Sequence, residues 1–226
     1  MPPSIQPVPH SIKAFSLIEL MTVMAILSIL AVSVSYVGMS DKTSANVNHS
    51  LISLTGYLEL ARQTALSGNT YTYVALSTAA DGSSYIALFE SPSGVDEVKS
   101  GVAKVSPPTV RMLANVIKLN RVTIPTSPPS ANLPSLPSNA LSPSSGTLPP
   151  IMVENSPVGP LTFDRVIKFT PQGLALIYDE TPVEWVKLVI VPQQGASSTA
   201  KEIQQASAIS IAGLTGRVFV HRPGEE

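Results

Sequence analysis

The chain of 226 residues contains no cysteine and few charged side chains. Without cysteine it can form no disulfide, no thiolate nucleophile and no cysteine-ligated zinc or iron–sulfur site. Charged residues make up 13% of the chain, against about 25% in a typical soluble domain, while apolar residues make up 44%. The formal net charge of -1 excludes a global positive field that would attract nucleic acid or anionic lipid. The length fits one domain with appendages.

An uncharged run of 21 residues, from Leu20 to Ser40, lies near the N-terminus. As a helix it would be about 32 Å long, enough to cross the roughly 30 Å hydrocarbon core of a membrane. A buried core helix is the alternative, but nothing else in the chain could surround such a helix. A secretory signal would place its small residue after the apolar run, whereas Ala14 precedes it. Lys13 indicates, by the positive-inside rule, that the N-terminal end stays in the cytoplasm.

The apolar pattern continues beyond this run on one side of a predicted helix. Six apolar residues recur at alternating spacings of four and three: Val47, Leu51, Leu54, Leu58, Ala61 and Ala65. The sequence therefore predicts one helix from about Phe15 to about Ser67, ended by Ser67-Gly68-Asn69. Its first part, residues 15–40, is apolar on all sides, and its continuation, residues 41–68, presents a stripe to which a domain can dock. A coiled coil is the competing interpretation, although the pattern spans fewer than three heptads.

Residues 69–226 change to the alternating pattern that is typical of strands. The expected strands are Thr70–Ser77, Tyr85–Glu90, Val166–Thr170, Leu174–Tyr178, Trp185–Val191, Ala208–Ala212 and Arg217–His221. Val110–Leu119 fits a helix or a strand. Several short strands after one helix predict an α+β fold in which an antiparallel sheet covers the helix stripe.

Proline and serine are concentrated between Pro125 and Pro160, with ten Pro and eight Ser in 36 residues. Such a stretch cannot keep regular ladder hydrogen bonds and buries little apolar surface. We therefore expect an extended or disordered loop inserted into the β-rich domain. A docking site for a polyproline-binding partner is the alternative interpretation.

The start of the apolar run carries a specific motif, Lys13-Ala14-Phe15-Ser16-Leu17-Ile18-Glu19-Leu20. It resembles the processing motif of type IV prepilins and type II secretion pseudopilins. The resemblance implies that prepilin peptidase removes a leader of residues 1–14 by cutting between Ala14 and Phe15, and that Phe15 is N-methylated. It also implies a single-pass protein of the bacterial inner membrane with a periplasmic β-rich domain. An assembly ATPase acting through an inner-membrane platform would then extrude the subunit into a filament with other pilin or pseudopilin subunits.

Three further segments resemble the H-type minor pseudopilins and the FimT-like pilins. They are Leu58–Leu66, the turn Phe169–Gly173, and Ile209–Val218 with its Leu214-Thr215-Gly216-Arg217 ending. The general layout is also similar to the prepilin-type family called Verru_Chthon cassette protein D, and the sequence does not separate the two. The resemblance implies a structural minor subunit of a type II secretion pseudopilus or a type IV pilus-like filament.

Glu19 is the charged residue that this interpretation must explain. A carboxylate at mid-bilayer costs about 2.5 to 3.5 kcal/mol on insertion scales, and less near a helix end. At the interface it gains about 0.3 to 1 kcal/mol from the helix dipole without any partner. In a packed filament, where water is scarce, the amine of Phe15 on a neighbouring subunit would neutralise it. Guided by the resemblance, we expect Glu19 to act in assembly.

The sequence offers little for catalysis or metal binding. His10, His49 and His221 have no metal-ligand spacing, and motifs such as the Walker loop or HExxH are absent from the sequence. The adjacent carboxylates Asp179-Glu180 would point apart in a turn-like region. We expect no catalytic residue, no metal and no cofactor, and therefore no enzyme.

Nucleic-acid binding is the alternative function, since some FimT-like pilins of DNA-uptake machines use a basic C-terminal strand after a Gly-Arg pair. Gly216-Arg217 matches this pair, and Arg222 lies five residues further on. Phe219 stands where a second basic residue would strengthen the patch, and Glu225-Glu226 oppose the two arginines. Because phosphate contacts need net positive charge, we do not expect nucleic acid to be a partner.

Overall fold

The computed structural model divides into two compact units, Met1–Lys42 and Thr43–Glu226. It describes residues 17–79, 81–98, 110–125, 136–144, 148–153, 159–178, 181–193 and 205–222, with the backbone alone for residues 31–44. Within these residues a helix is followed by antiparallel sheets, so the expected α+β class is confirmed.

Helix α1 runs from Leu17 to Gly68. All six residues of the predicted stripe, from Val47 to Ala65, are at most 6% exposed, which confirms the amphipathic pattern. The helix ends because Asn69 adopts a left-handed conformation, with φ of 47°, and Thr70 N donates to the carbonyl oxygen of Ala65 at 3.1 Å. The predicted stop is therefore in the right place, and the predicted start at Phe15 lies outside the described residues.

The strands follow α1 in chain order. They are β1 (Thr72–Thr78), β2 (Ser84–Glu90), β3 (Arg111–Leu119), β4 (Val122–Thr123), β5 (Ile151–Val153), β6 (Leu161–Phe163), β7 (Arg165–Phe169), β8 (Ala175–Leu176), β9 (Trp185–Pro192), β10 (Ser207–Ala212) and β11 (Val218–His221). The segment that the sequence left open between helix and strand is strand β3. The predicted strand Leu174–Tyr178 shortens to the two residues of β8.

These strands form two sheets and a hairpin. The larger sheet has the order β3-β2-β1-β7-β8, the smaller one the order β11-β10-β9-β4, and β5 pairs with β6. The pairs between named strands are antiparallel. Leu141 adds an isolated parallel bridge to Val186 of β9.

The main core lies where the stripe of α1 meets both sheets. It joins Leu54 and Leu58 of α1 to Leu76 of β1, Leu188 of β9 and Ile209 of β10. Burying each such side chain contributes roughly 1.5 to 3 kcal/mol, so the stripe is held by burial rather than by polar contacts. Two sheets share the stripe, where the sequence predicted one covering sheet.

A second core lies on the opposite side of the larger sheet, and part of the proline-rich stretch belongs to it. Leu148 and Ile151 are each 2% exposed and pack in the same cluster as Phe163 of β6. Residues 151–153 pair with β6 as a regular ladder. The expectation of an extended or disordered loop throughout 125–160 is therefore wrong for this part, because its few apolar residues find buried partners.

Candidate functional site

The first described turns of α1 expose apolar side chains on all sides. Ten large hydrophobic residues between Leu17 and Leu30 are each at least 48% exposed. Since these fourteen positions make nearly four helical turns, their side chains point in every direction around the axis. A helix that is apolar all round is stable when lipid or other apolar helices surround it.

The predicted membrane span, Leu20–Ser40, is only partly described. Among the residues that the structure describes, no helix is both long and apolar enough to cross a membrane. The side chains of residues 31–44 lie outside the described residues.

Glu19 lies in the first described turn of α1, and its side chain is exposed. Its backbone carbonyl oxygen accepts a hydrogen bond from Thr22 Oγ1 at 2.9 Å. A carboxylate in a first turn is favoured by the helix dipole, by about 0.3 to 1 kcal/mol at an exposed position. Ala14 and Phe15, the predicted cleavage and methylation residues, lie outside the described residues. The pairing of Glu19 with the amine of Phe15 on a neighbour thus stays a prediction.

Three segments that are distant in sequence meet near the C-terminal end of α1. Arg62 Nε donates to the carbonyl oxygen of Thr215 at 2.8 Å. Gly216 has φ of 64°, and a Cβ at that position would lie 2.5 Å from the carbonyl oxygen of Gly173 and 3.2 Å from the Phe169 ring. These segments are the ones that carry the H-type and FimT-like resemblance. The structure gives Gly216 a packing role, since only glycine fits there.

The arginines considered for nucleic-acid contact flank the edge strand β11. The Arg217 guanidinium carbon lies 6.0 Å from the centroid of the Phe219 ring, within the range of a cation–π contact. Phe219 in turn packs edge-on against Trp185, with 5.8 Å between ring centroids. Arg217 precedes β11 and Arg222 follows it, so the strand separates the two cations. Exposed Phe219 and half-buried Trp185 therefore form an aromatic pair with one arginine above it.

Of the histidines and the acidic pair, only His49 and His221 lie among the described residues. His221 Nε2 lies 2.7 Å from Ser210 Oγ, but Ser210 is 1% exposed and out of reach of a substrate. His49 is exposed on α1. His10 and Asp179-Glu180 lie outside the described residues. In the described part of the chain, no three His, Asp or Glu side chains are grouped as metal ligands.

A buried polar cluster that the sequence did not reveal lies between β1, β7 and the loop after β2. Lys168 Nζ is 2.5 Å from Asp96 Oδ2, with the two side chains 0% and 9% exposed. Tyr73 OH donates to Asp96 Oδ1 at 3.1 Å and accepts a hydrogen bond from Glu97 N at 3.0 Å. Burial raises the pKa of the Tyr73 phenol well above its ordinary value. The only sequence signal was that Tyr73 and Lys168 fall in predicted strands, and these residues prove to be cross-strand neighbours.

Arg165 is a second buried group that the sequence did not reveal. Its side chain is 1% exposed; Nη1 donates to the carbonyl oxygen of Ile124 at 2.8 Å and Nη2 to Thr78 Oγ1 at 2.6 Å. Burial lowers the pKa of the guanidinium. Ile124 follows β4 and directly precedes the proline-rich stretch. By binding the Ile124 carbonyl oxygen, Arg165 fixes the start of that stretch. Its role is structural.

Comparison with known families places a recognised motif at the N-terminus. Residues 10–35 match the family model described as "Prokaryotic N-terminal methylation motif". No curated protein and no solved structure matches the chain. The matched segment includes Ala14, Phe15 and Glu19, and it supports a type IV pilin-like or pseudopilin subunit that is processed by prepilin peptidase and assembles with other pilin subunits.

Proposed function

We propose that the chain is a structural minor subunit of a type II secretion pseudopilus or a type IV pilus-like filament. One observation carries this proposal: the match to the N-terminal methylation motif over residues 10–35 contains a helical segment, Leu17 to Leu30, that exposes apolar side chains on all sides. A helix of this kind needs an apolar environment at every stage. Lipid supplies it before assembly, and the helices of neighbouring subunits supply it afterwards.

The proposed life of the subunit begins with processing. Prepilin peptidase cuts between Ala14 and Phe15, and Phe15 is methylated on its new amine. The helix anchors the subunit in the bacterial inner membrane with its N-terminus in the cytoplasm, and the β-rich domain lies in the periplasm. An ATPase acting through a platform protein then extrudes the subunit into the filament. In this proposal the subunit is a structural part of the filament, and it has neither an enzymatic activity nor a cofactor.

Glu19 has a defined task in this proposal. In the membrane it lies near the helix end, where water and the helix dipole stabilise its charge. In the filament the surrounding helices exclude water, and an unpaired carboxylate becomes costly. The methylated amine of Phe15 keeps its positive charge, so it neutralises Glu19 of a neighbouring subunit. In this proposal the charges of Glu19 and of the Phe15 amine pair only between neighbouring subunits. The pairing therefore favours assembly.

The test compares assembly of Glu19→Ala and Glu19→Gln with the wild type in cells that hold the assembly machinery. We expect both variants to be processed normally and to remain in the membrane fraction. The wild type should be found in sheared filaments, and the variants should not. Glu59→Gln is the matched control, because it removes a carboxylate from the same helix at a position salt-bridged to Arg62 at 3.9 Å. Wild-type incorporation of Glu19→Gln would contradict the charge pairing.

A DNA-binding minor pilin of a DNA-uptake system is the second candidate. Its supporting observation is the aromatic pair of exposed Phe219 and half-buried Trp185, with Arg217 above Phe219. Lys187 lies in the same cross-strand row as Phe219, with Ser210 between them. Aromatic rings beside cations can stack the bases of single-stranded nucleic acid. A salt-dependent gel shift of the full chain that disappears in Phe219→Ala would favour this function, and the absence of a shift at low salt would dismiss it.

A further inference from the structure

The buried contact between Lys168 and Asp96 brings an amine and a carboxyl group together in a place that excludes water. Lys168 belongs to β7 in the interior of the larger sheet, and Asp96 belongs to the loop that follows β2. From this geometry we propose that Lys168 and Asp96 join through an intramolecular amide bond between Nζ and the side-chain carboxyl carbon. The bond is a covalent link between β7 and the loop, and it does not depend on the proposed function.

Proton transfer within the contact gives the uncharged, reactive forms of the two groups. The Lys168 side chain is 0% exposed, and Val98, two residues after Asp96, is also 0% exposed. In such surroundings an ion pair loses hydration that its mutual attraction only partly replaces. Transfer of one proton from Nζ to Oδ2, across 2.5 Å, gives a neutral amine beside a neutral carboxylic acid. A neutral amine carries the lone pair that attacks a carboxyl carbon.

Two hydrogen-bond donors surround the second carboxyl oxygen of Asp96, Oδ1, and can stabilise the intermediate formed when Lys168 Nζ adds to the carboxyl carbon. Asp96 Oδ1 accepts hydrogen bonds from Tyr73 OH at 3.1 Å and from Val98 N at 3.3 Å. When Nζ adds to the carbon, negative charge develops on Oδ1, where these two donors already point. Burial raises the pKa of the Tyr73 phenol, so its hydroxyl stays protonated and remains a donor. Glu97 N, which donates to the Tyr73 oxygen at 3.0 Å, holds the phenol in place.

The step balances without any added reagent. The Nζ lone pair forms the new bond to the carboxyl carbon of Asp96, and a proton from Nζ moves to Oδ2. The bond between that carbon and Oδ2 then breaks, and Oδ2 leaves as one water molecule. Holding the amine against the carboxyl group replaces a bimolecular encounter, for which well-oriented groups reach effective molarities of about 10⁵ M or more. The exclusion of water from the site disfavours hydrolysis of the amide.

The bond would change how the larger sheet responds to force. Lys168 pairs with Tyr73 of β1 and with Leu176 of β8, so it lies within the sheet rather than at its edge. A covalent link from this position closes the chain between residues 96 and 168. Pulling on the chain outside this range would no longer extend the residues inside it.

Peptide mapping of the unmutated full chain tests the proposal. After complete denaturation, trypsin is expected to release residues 63–99 joined to residues 166–187, with a combined mass lower by one water molecule and with no cleavage after Lys168. If the contact is an ordinary ion pair, the peptides 63–99, 166–168 and 169–187 appear separately. Finding only these separate peptides would overturn the proposal. The mapping does not depend on filament assembly, so its outcome is distinct from that of the Glu19 experiment.

Two variants assign the roles of the residues. Lys168→Arg keeps a cation but removes the amine, and we expect it to abolish the joined peptide completely. Tyr73→Phe keeps the ring and removes one donor to Oδ1, and we expect the joined peptide to form about 100-fold more slowly after synthesis. Tyr73 stabilises the charge on Oδ1 directly in this scheme, and an unchanged rate in Tyr73→Phe would overturn that role.

Discussion

Arg62 on helix α1 donates a hydrogen bond through Nε to the carbonyl oxygen of Thr215, 2.8 Å away, although 153 positions separate the two residues in the chain. The bond holds the turn before β11 against the last turns of the helix. Gly216 then packs directly on the carbonyl oxygen of Gly173. These contacts of Arg62 and Gly216 link both sheets to α1, so changes at either residue should lower the stability of the β-rich unit.

Gly216→Ala is expected to destabilise the β-rich unit by about 1 to 3 kcal/mol. The new Cβ would lie 2.5 Å from the Gly173 carbonyl oxygen, and φ of 64° is strained for alanine. Denaturant unfolding of the detergent-solubilised chain measures the effect. Gly56→Ala is the matched control, because nothing lies within 4 Å of its added Cβ on the exposed side of α1. We expect it to stabilise the helix by about 0.5 to 1 kcal/mol. Equal effects of the two variants would contradict the close packing.

Arg62→Lys should lower the free energy of unfolding by about 0.5 to 1.5 kcal/mol, because lysine lacks the Nε donor to Thr215. The salt bridge of Arg62 to Glu59 spans 3.9 Å on a partly exposed surface and should contribute little. Glu59→Gln is therefore expected to change the unfolding free energy by less than about 0.5 kcal/mol. The same denaturant titration compares the two variants. A larger effect of Glu59→Gln would show that the ion pair, and not the bond to Thr215, fixes Arg62.

Leu58→Ala tests the stripe that holds α1 against the sheets. Leu58 is 0% exposed, so we expect a loss of about 2 to 5 kcal/mol from lost burial and the cavity that remains. Leu60, two positions along the helix, is 42% exposed. Leu60→Ala should change stability by less than about 0.5 kcal/mol in the isolated subunit. Similar losses at the two positions would mean that α1 docks by a different face.

The free energy of unfolding at high pH should depend on the half-buried phenol of Tyr57. Tyr57 OH donates to the carbonyl oxygen of Asn115 at 2.7 Å, and burial raises its pKa above the ordinary value of 10.0. The unfolded chain therefore releases this proton before the folded chain does. The contribution of Tyr57 is complete below pH 10.0 and declines as the pH rises above it. Denaturation midpoints measured as the pH rises should fall less steeply in Tyr57→Phe. Identical slopes would contradict the raised pKa.

The sequence predicted the elements whose pattern is local. The spacing of Val47 to Ala65 identified the stripe of α1, since a helix brings every third or fourth residue to one face. Alternation located most of the strands, and the Pro171-Gln172-Gly173 turn ends close to its predicted place. The resemblance at residues 13–20 is matched by the family model, because that motif is a short continuous segment.

The sequence could not predict contacts that depend on strand pairing. Alternation shows which residues share a face of a strand but not which strand lies next to it, so the order β3-β2-β1-β7-β8 was not foreseen. For the same reason the contact between Lys168 and Asp96, 72 positions apart, left no local signal. Strand β5 was missed because the surrounding prolines and serines outweighed its three apolar residues, whose burial depends on Phe163 and its neighbours.

The N-terminal residue of the mature chain tests the central claim most directly. Mass spectrometry of the chain extracted from membranes or sheared filaments should find a first peptide that begins at Phe15, with a methyl group on its amine. That result would show that the matched motif is processed at the residue from which the apolar helix is predicted to start. An intact Met1 start, or a cut downstream of Tyr36 that discards the apolar helix, would contradict the account.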